Sequence, residues 1–203
     1  MSETRKYWDE RYRSGMTGWD TGAETPAFRS WLERHPEIHG RAFVPGCGYG
    51  HDALMLARLG FEVTAVDVSD IALSRLRRAA DAEHLCVETL NEDFFHLPEP
   101  LSGAFDLALE YTSYCAIDPA RRREYVEVLV SVLKPGGVLV ALLFPIGWKE
   151  GGPPHAVDVR EFHSLLPSGG EILEDYWPED SIPPRKGREK MLAWRKTAGL
   201  SNG

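Results

Sequence analysis

The sequence is poor in the features that mark several large classes of protein. Only 3 of its 203 residues are cysteine: Cys47, Cys86 and Cys115. They are widely spaced, in neither a zinc-ligand pattern nor a disulfide framework. No metal site is therefore expected, and a reducing, cytoplasmic setting is. There is no basic excess, because 23 Lys and Arg face 31 Asp and Glu for a net charge of −8. That balance argues against a nucleic-acid partner or an anionic membrane surface. No apolar run approaches the roughly 18 residues that a membrane span needs. The opening MSETRKYWDERYR has no apolar stretch of the kind a secretory signal carries. Internal repeats and low-complexity tracts are missing too. What remains, 43% hydrophobic and 27% charged residues, is an ordinary globular composition. The length fits one domain, residues 1–203.

From residue 41 onward the pattern is regular. RAFVPGCGYG reads as a short buried strand over Ala42 to Val44, ended by Pro45 and a glycine-rich turn. His51 to Leu59 reads as a buried helix, with Gly60 as its stop. FEVTAVD is a β-branched strand ending at Asp67. Ser69 caps a helix whose inner face is Ala72, Leu73, Leu76, Ala79 and Ala80. HLCVE and AFDLALE continue as strands. Asp118-Pro119 opens a helix expected to run to about Lys134, with Pro135-Gly136-Gly137 as its end. VLVALLF is an all-apolar fifth strand, DVREFHSLL a short helix, and EILEDYW and KMLAWRK the last two strands. Strands alternating with helices, and apolar on both faces, predict an α/β fold. It is a Rossmann-like, mostly parallel seven-stranded sheet with helices on both faces. Residues 1–40 form a helical lid region ahead of a sheet core at 41–203.

In such a sheet ligands bind at the carboxyl ends of the strands. The first turn is Gly46-Cys47-Gly48-Tyr49-Gly50, and Asp67 follows about twenty residues on, the spacing of a carboxylate that accepts from ribose hydroxyls. A dinucleotide fingerprint needs glycine where His51 stands, and Asp52 at that helix start repels a pyrophosphate. S-adenosylmethionine carries no phosphate and tolerates both residues. NEDFF, after the third strand, supplies Asp93 and Phe94 for an adenine amine and ring.

Taken in order, YWDERYRSGMTGWDTG, VPGCGYGHD, VDVSDIAL, EDFF, EYTSYCAIDPARR, LKPGG, GGPPH and PRKGREK resemble the thiopurine S-methyltransferase-like family. This is a branch of the class I methyltransferases that includes thiol and halide methyltransferases. The resemblance runs from about Tyr7 to Lys196. It implies S-adenosylmethionine as cofactor, bound through Trp8, Tyr12, Trp19, Gly46, Gly48, Asp67, Asp93, Phe94 and Tyr111. It implies methyl transfer to a small soft nucleophile: thiol, thiopurine, halide or chalcogen anion. Many plant relatives have tryptophan at the Tyr12 position, and relatives often have tyrosine at the His155 position.

The reactive centre of that cofactor is a sulfonium, which aromatic faces attract. Trp19, between glycines, is therefore expected to close over the site, the alternative being a staple for the N-terminal helix. His155 is the candidate general base, because imidazole titrates near neutrality. Phe28, Tyr114 and Phe144 are candidates for the acceptor pocket. PRKGREK reads as a solvated hairpin arm, with steering of an anionic acceptor as the second reading. The expected partner is a small-molecule methyl acceptor, and the expected state a monomer or weak dimer. Two competing functions remain open: a non-catalytic cofactor-binding protein, and an NAD-linked oxidoreductase.

Overall fold

The computed structural model describes residues 2–147 and 150–197. Two helices lead the chain, α1 (Glu3–Arg13) and α2 (Pro26–Arg34). The alternating part follows: β1 (Arg41–Pro45), α3 (His51–Arg58), β2 (Glu62–Val66), α4 (Asp70–Ala82), β3 (Val87–Leu90), β4 (Phe105–Tyr111), α5 (Arg122–Ser131) and β5 (Leu133–Leu143). It ends with α6 (Val159–Leu165), β6 (Gly170–Tyr176) and β7 (Lys190–Lys196). The seven strands form one sheet in the order β3-β2-β1-β4-β5-β7-β6. The first five pair in parallel, and β7 runs antiparallel between β5 and β6.

Alternation along the strands builds two cores. One face sends Ala42, Val44, Leu107, Leu109, Val138 and Val140 against Trp31, Leu54, Met55, Leu73 and Leu76 of α2, α3 and α4. The other sends Phe43, Phe105, Leu139, Ala141 and Trp194 against Tyr125, Val126, Leu129 and Phe162 of α5 and α6. Because both faces are covered, the central strands read as apolar runs rather than as alternation. The predicted inner face of α4 is the buried one, with Ala72, Leu73, Leu76 and Ala80 inside and Ala79 partly so.

Two boundaries differ from expectation. The helix predicted over Asp118 to Lys134 is a 3₁₀ turn at Pro119–Arg121 followed by α5, and it stops at Ser131. Pro135-Gly136-Gly137 does not end a helix but lies inside β5. Phe105 pairs with Leu133 and Leu107 with Val138, so the extra residues of β5 are taken up as a bulge. Proline without an N–H and Gly136 at φ +85° suit such a bulge and no regular ladder position. β3 begins three residues later than HLCVE suggests, because His84 turns the chain at φ +55° after α4.

Candidate active site

The chain leaves β1 toward β2 on one side and returns to β4 on the other. The carboxyl ends of β1 and β4 therefore border the crevice where such sheets bind ligands. A cavity of about 840 Å³ opens there.

Asp67, just past β2, is its buried acid. The Gly48 N–H donates to Oδ2 at 2.9 Å and the Ser69 N–H to Oδ1 at 2.8 Å, which fixes the carboxylate plane. Loss of solvent pushes Asp67 up to about 6. Those N–H bonds act in the opposite direction, and the nearby Asp9 carboxylate adds to the rise.

The N-terminal helix is fastened over this acid. The Ser69 hydroxyl donates to Asp9 Oδ1 at 2.6 Å, and Arg5 Nη2 donates to the Asn91 carbonyl at 3.1 Å. The Asn91 side-chain amide donates in turn to the carbonyls of Asp67 and Val68. One turn of helix separates Trp8 from Tyr12, so both rings face the same way. The Trp19 ring meets each edge-on, at 5.2 Å from Trp8 and 5.4 Å from Tyr12. All three rings line the cavity. The Trp19 loop is tethered twice, by His51 Nε2 to Asp20 Oδ1 at 3.0 Å and by Arg185 Nη2, which donates to the Trp19 carbonyl at 2.8 Å. The His51 ring thus holds the loop through Asp20.

Glycine is required in the first turn. A Cβ on Gly46, at φ +56°, falls 2.2 Å from the Ser113 hydroxyl, and one on Gly48 falls 3.3 Å from the Tyr12 hydroxyl. Opposite, Asp93 caps a 3₁₀ turn through the Phe95 N–H and puts Phe94 on the cavity wall. The loop after β4 completes that wall with Thr112, Ser113, Cys115 and Ile117. Its shape depends on Glu110, whose buried carboxylate accepts from the Tyr114 N–H at 2.7 Å and from the Tyr125 hydroxyl. The Cys115 carbonyl accepts the His155 N–H at 2.7 Å, which places His155 on the same wall.

Of the sequence candidates, Trp8, Tyr12, Trp19, Gly46, Asp67, Asp93, Phe94, Phe144 and His155 border the large cavity. Gly48 and Tyr111 do not. They line an adjoining space of about 70 Å³, which shares Trp19, Gly46 and Thr112 with the first. The Tyr111 hydroxyl donates to Glu189 Oε2 at 2.8 Å. Phe28 is fully buried against Tyr111 and reaches only the small space. Tyr114 is a correction to the expected acceptor pocket: it lines neither space. It is buried against Phe162, with the Arg122 guanidinium over its ring. The apolar turn after β4 alternates, and Tyr114 faces the α5–α6 core while Cys115 faces the cavity.

The residue that sequence reasoning undervalued is Arg185. It sits in PRKGREK, expected to be solvated, yet it is only 5% exposed and lines the large cavity. Its guanidinium lies 4.7 Å from the Phe144 ring and 4.9 Å from that of Tyr111. Nη1 is buried without a hydrogen-bond partner. The guanidinium charge acts on the buried Glu189 carboxylate and on the Tyr111 hydroxyl that donates to it.

With this geometry in view, known proteins give the family. The model of the thiopurine S-methyltransferase family matches residues 3–197. This chain belongs to that family. A probable thiol methyltransferase 2 of Arabidopsis thaliana is 37% identical over 196 residues, covering 94% of this chain and 85% of the relative. Thiocyanate methyltransferase 1 of the same plant is 35% identical over 195 residues, covering 93% and 84%. A thiopurine S-methyltransferase of Xanthomonas campestris pv. campestris is 27% identical over 184 residues, covering 83% and 84%. Among solved structures, a Burkholderia thailandensis 1,6-didemethyltoxoflavin-N1-methyltransferase, solved with S-adenosylhomocysteine, superimposes with a TM-score of 0.74. That pair shares 19% identity and covers 96% of this chain and 87% of the other. Membership makes the chain an S-methyltransferase that draws its methyl group from S-adenosylmethionine. The residues fit that donor. A fixed carboxylate at the β2 tip suits ribose hydroxyls, a glycine turn admits close backbone approach, and three converging rings suit a sulfonium.

Proposed function

We propose that the chain transfers the methyl group of S-adenosylmethionine to a small soft nucleophile, a thiol, thiopurine, halide or chalcogen anion, by direct in-line displacement. The observation that carries this reading is the make-up of one cavity. It joins an acid and three aromatic rings to the guanidinium of Arg185. The relatives' names, which speak of thiol, thiocyanate and thiopurine, support it.

Bound there, the cofactor supplies an electrophilic methyl carbon on a positively charged sulfur. Asp67 accepts from the ribose hydroxyls. Trp8, Tyr12 and Trp19 attract the sulfonium by roughly 0.5–2 kcal/mol each. That attraction is lost once sulfur becomes neutral, so the walls favour the methyl-bearing form over the spent one. Arg185 draws and holds an anionic acceptor. The acceptor's lone pair forms the new bond to carbon while the carbon–sulfur pair returns to sulfur. A thiolate or halide brings no proton to remove. For a neutral thiol, His155 on the acceptor wall takes the S–H proton. The remaining contribution of the chain is orientation and exclusion of water.

The test is a screen with methyl-labelled cofactor against iodide, thiocyanate, hydrosulfide, an aromatic thiol and tellurite. The reading expects label in the methylated product of at least one, with S-adenosylhomocysteine released in equal amount. Tight cofactor binding with no transfer to any of them would leave a non-catalytic binding protein in its place.

A further inference from the structure

One side chain touches both halves of this site. Arg185 Nη2 holds the carbonyl of Trp19, the residue whose ring covers the cofactor side. The same guanidinium faces Phe144 and Tyr111, and its Nη1 is buried and unpartnered. The guanidinium borders the large cavity, so an acceptor anion bound there meets a cation that already holds the Trp19 carbonyl. Gly18, Thr21, Gly22 and Ala23 of the Trp19 loop are exposed, and beyond Arg185 the loop is held by the His51–Asp20 contact and by the packing of the Trp19 ring on Trp8 and Tyr12.

We propose that Arg185 is shared between the acceptor and the loop that covers the cofactor, so that an acceptor anion and an adenosyl ligand each bind more tightly when the other is present. This rests on the anionic acceptor of the proposed function. The physical reason is a common ordering cost. The anion and the Trp19 carbonyl both need the guanidinium held in one rotamer, and whichever ligand fixes it first spares the second that loss. Linkage then requires the enhancement to be equal in both directions. Lysine cannot substitute, because an ammonium on a flexible stem lacks the planar fork that spans two acceptors.

The test uses S-adenosylhomocysteine, whose neutral sulfur removes direct attraction between anion and sulfonium and also prevents turnover. Its affinity is measured by calorimetry on the full chain in 10 mM sodium thiocyanate and in sodium fluoride of about equal ionic strength. The expected result is about five- to tenfold tighter binding in thiocyanate. S-adenosylhomocysteine is expected to tighten thiocyanate binding by the same factor. In Arg185→Lys thiocyanate still binds, but the enhancement falls to about onefold. A measurement on the unaltered protein stands beside the variant, should the variant not fold. In it, hydrogen exchange of the Asp20 and Gly22 amides, bonded to the Thr17 carbonyl and the Asp20 carboxylate, slows when thiocyanate is added. Thiocyanate that binds the native chain without changing ligand affinity or loop exchange overturns the coupling and leaves the acceptor site standing. Thiocyanate that does not bind at all overturns both. Full enhancement in Arg185→Lys overturns the assignment to Arg185.

Discussion

Acidification tests this site, because burial pushes Asp67, the acid proposed to receive the ribose, up to about 6. Burial is the main cause of that rise, and the Asp9 carboxylate adds to it. Ribose hydroxyls donate to the ionised carboxylate, so binding requires Asp67 deprotonated. At pH 7 about nine-tenths of the unliganded protein is ready, and at pH 5 about one-tenth. Apparent affinity for S-adenosylhomocysteine should therefore fall about tenfold from pH 7 to pH 5, or about 1.4 kcal/mol. Calorimetry at constant ionic strength reads this directly. Two variants assign the effect. Asp67→Asn binds more weakly but with a flat profile, which removes His51 and His155 as its source. Asp9→Asn keeps an acceptor for the Ser69 hydroxyl while removing the neighbouring charge, so the midpoint moves to lower pH. A native profile that is flat from pH 5 to 7, or a slope that persists in Asp67→Asn, refutes the reasoning.

Trp19→Ala should weaken S-adenosylmethionine by about 2- to 30-fold and S-adenosylhomocysteine by clearly less, because only the former carries a sulfonium. Equal losses would make the ring a steric cover and nothing more. Gly46→Ala should lower thermal stability by at least about 1–2 kcal/mol from its left-handed backbone alone, and by more from the approach of 2.2 Å to Ser113; an unchanged melting temperature contradicts the close packing of the β1 and β4 ends. Glu110, buried, is pushed up to about 7, mainly by loss of solvent, with its hydrogen bonds from Tyr125 and Tyr114 acting the other way. A carboxylate raised in the fold contributes its full stability below its unfolded value near 4.5 and loses it as pH rises through about 7. Glu110→Gln lacks that titration, so the native protein should lose melting temperature relative to the variant between pH 5 and 8. A constant gap across that range refutes it.

Much of the fold was legible because it follows from periodicity and from strand-end chemistry. The apolar runs at Ala42–Val44, Val63–Val66 and Val138–Leu143, each entered or left through a turn, could only be strands covered on both faces. Gly46 and Asp67 stood out because their spacing has one physical use in such a sheet. Pro135-Gly136-Gly137 misled because the same residues stop a helix or fill a bulge, and only the β4 register decides between them. Tyr114 and Arg185 were misplaced for a related reason. Tyr114 is an aromatic in a loop beside a site, yet its direction depends on Phe162, far along the chain. Arg185 lies in a strongly charged stretch that reads as solvated. Its burial depends on Phe144 and Tyr111, at the ends of the paired strands β5 and β4, which Arg185 meets only when β7 pairs with the far edge of β5.

The central claim places the adenosyl ligand between Asp67 and the rings of Trp8, Tyr12 and Trp19. A crystal structure of the chain with S-adenosylhomocysteine tests it most directly. The account predicts ribose hydroxyls within hydrogen-bond distance of the Asp67 carboxylate and the ligand's sulfur facing the three rings, on the Arg185 side of the cavity. Ligand density elsewhere on the molecule, or a bound ligand with α1 and its rings turned away from it, contradicts it.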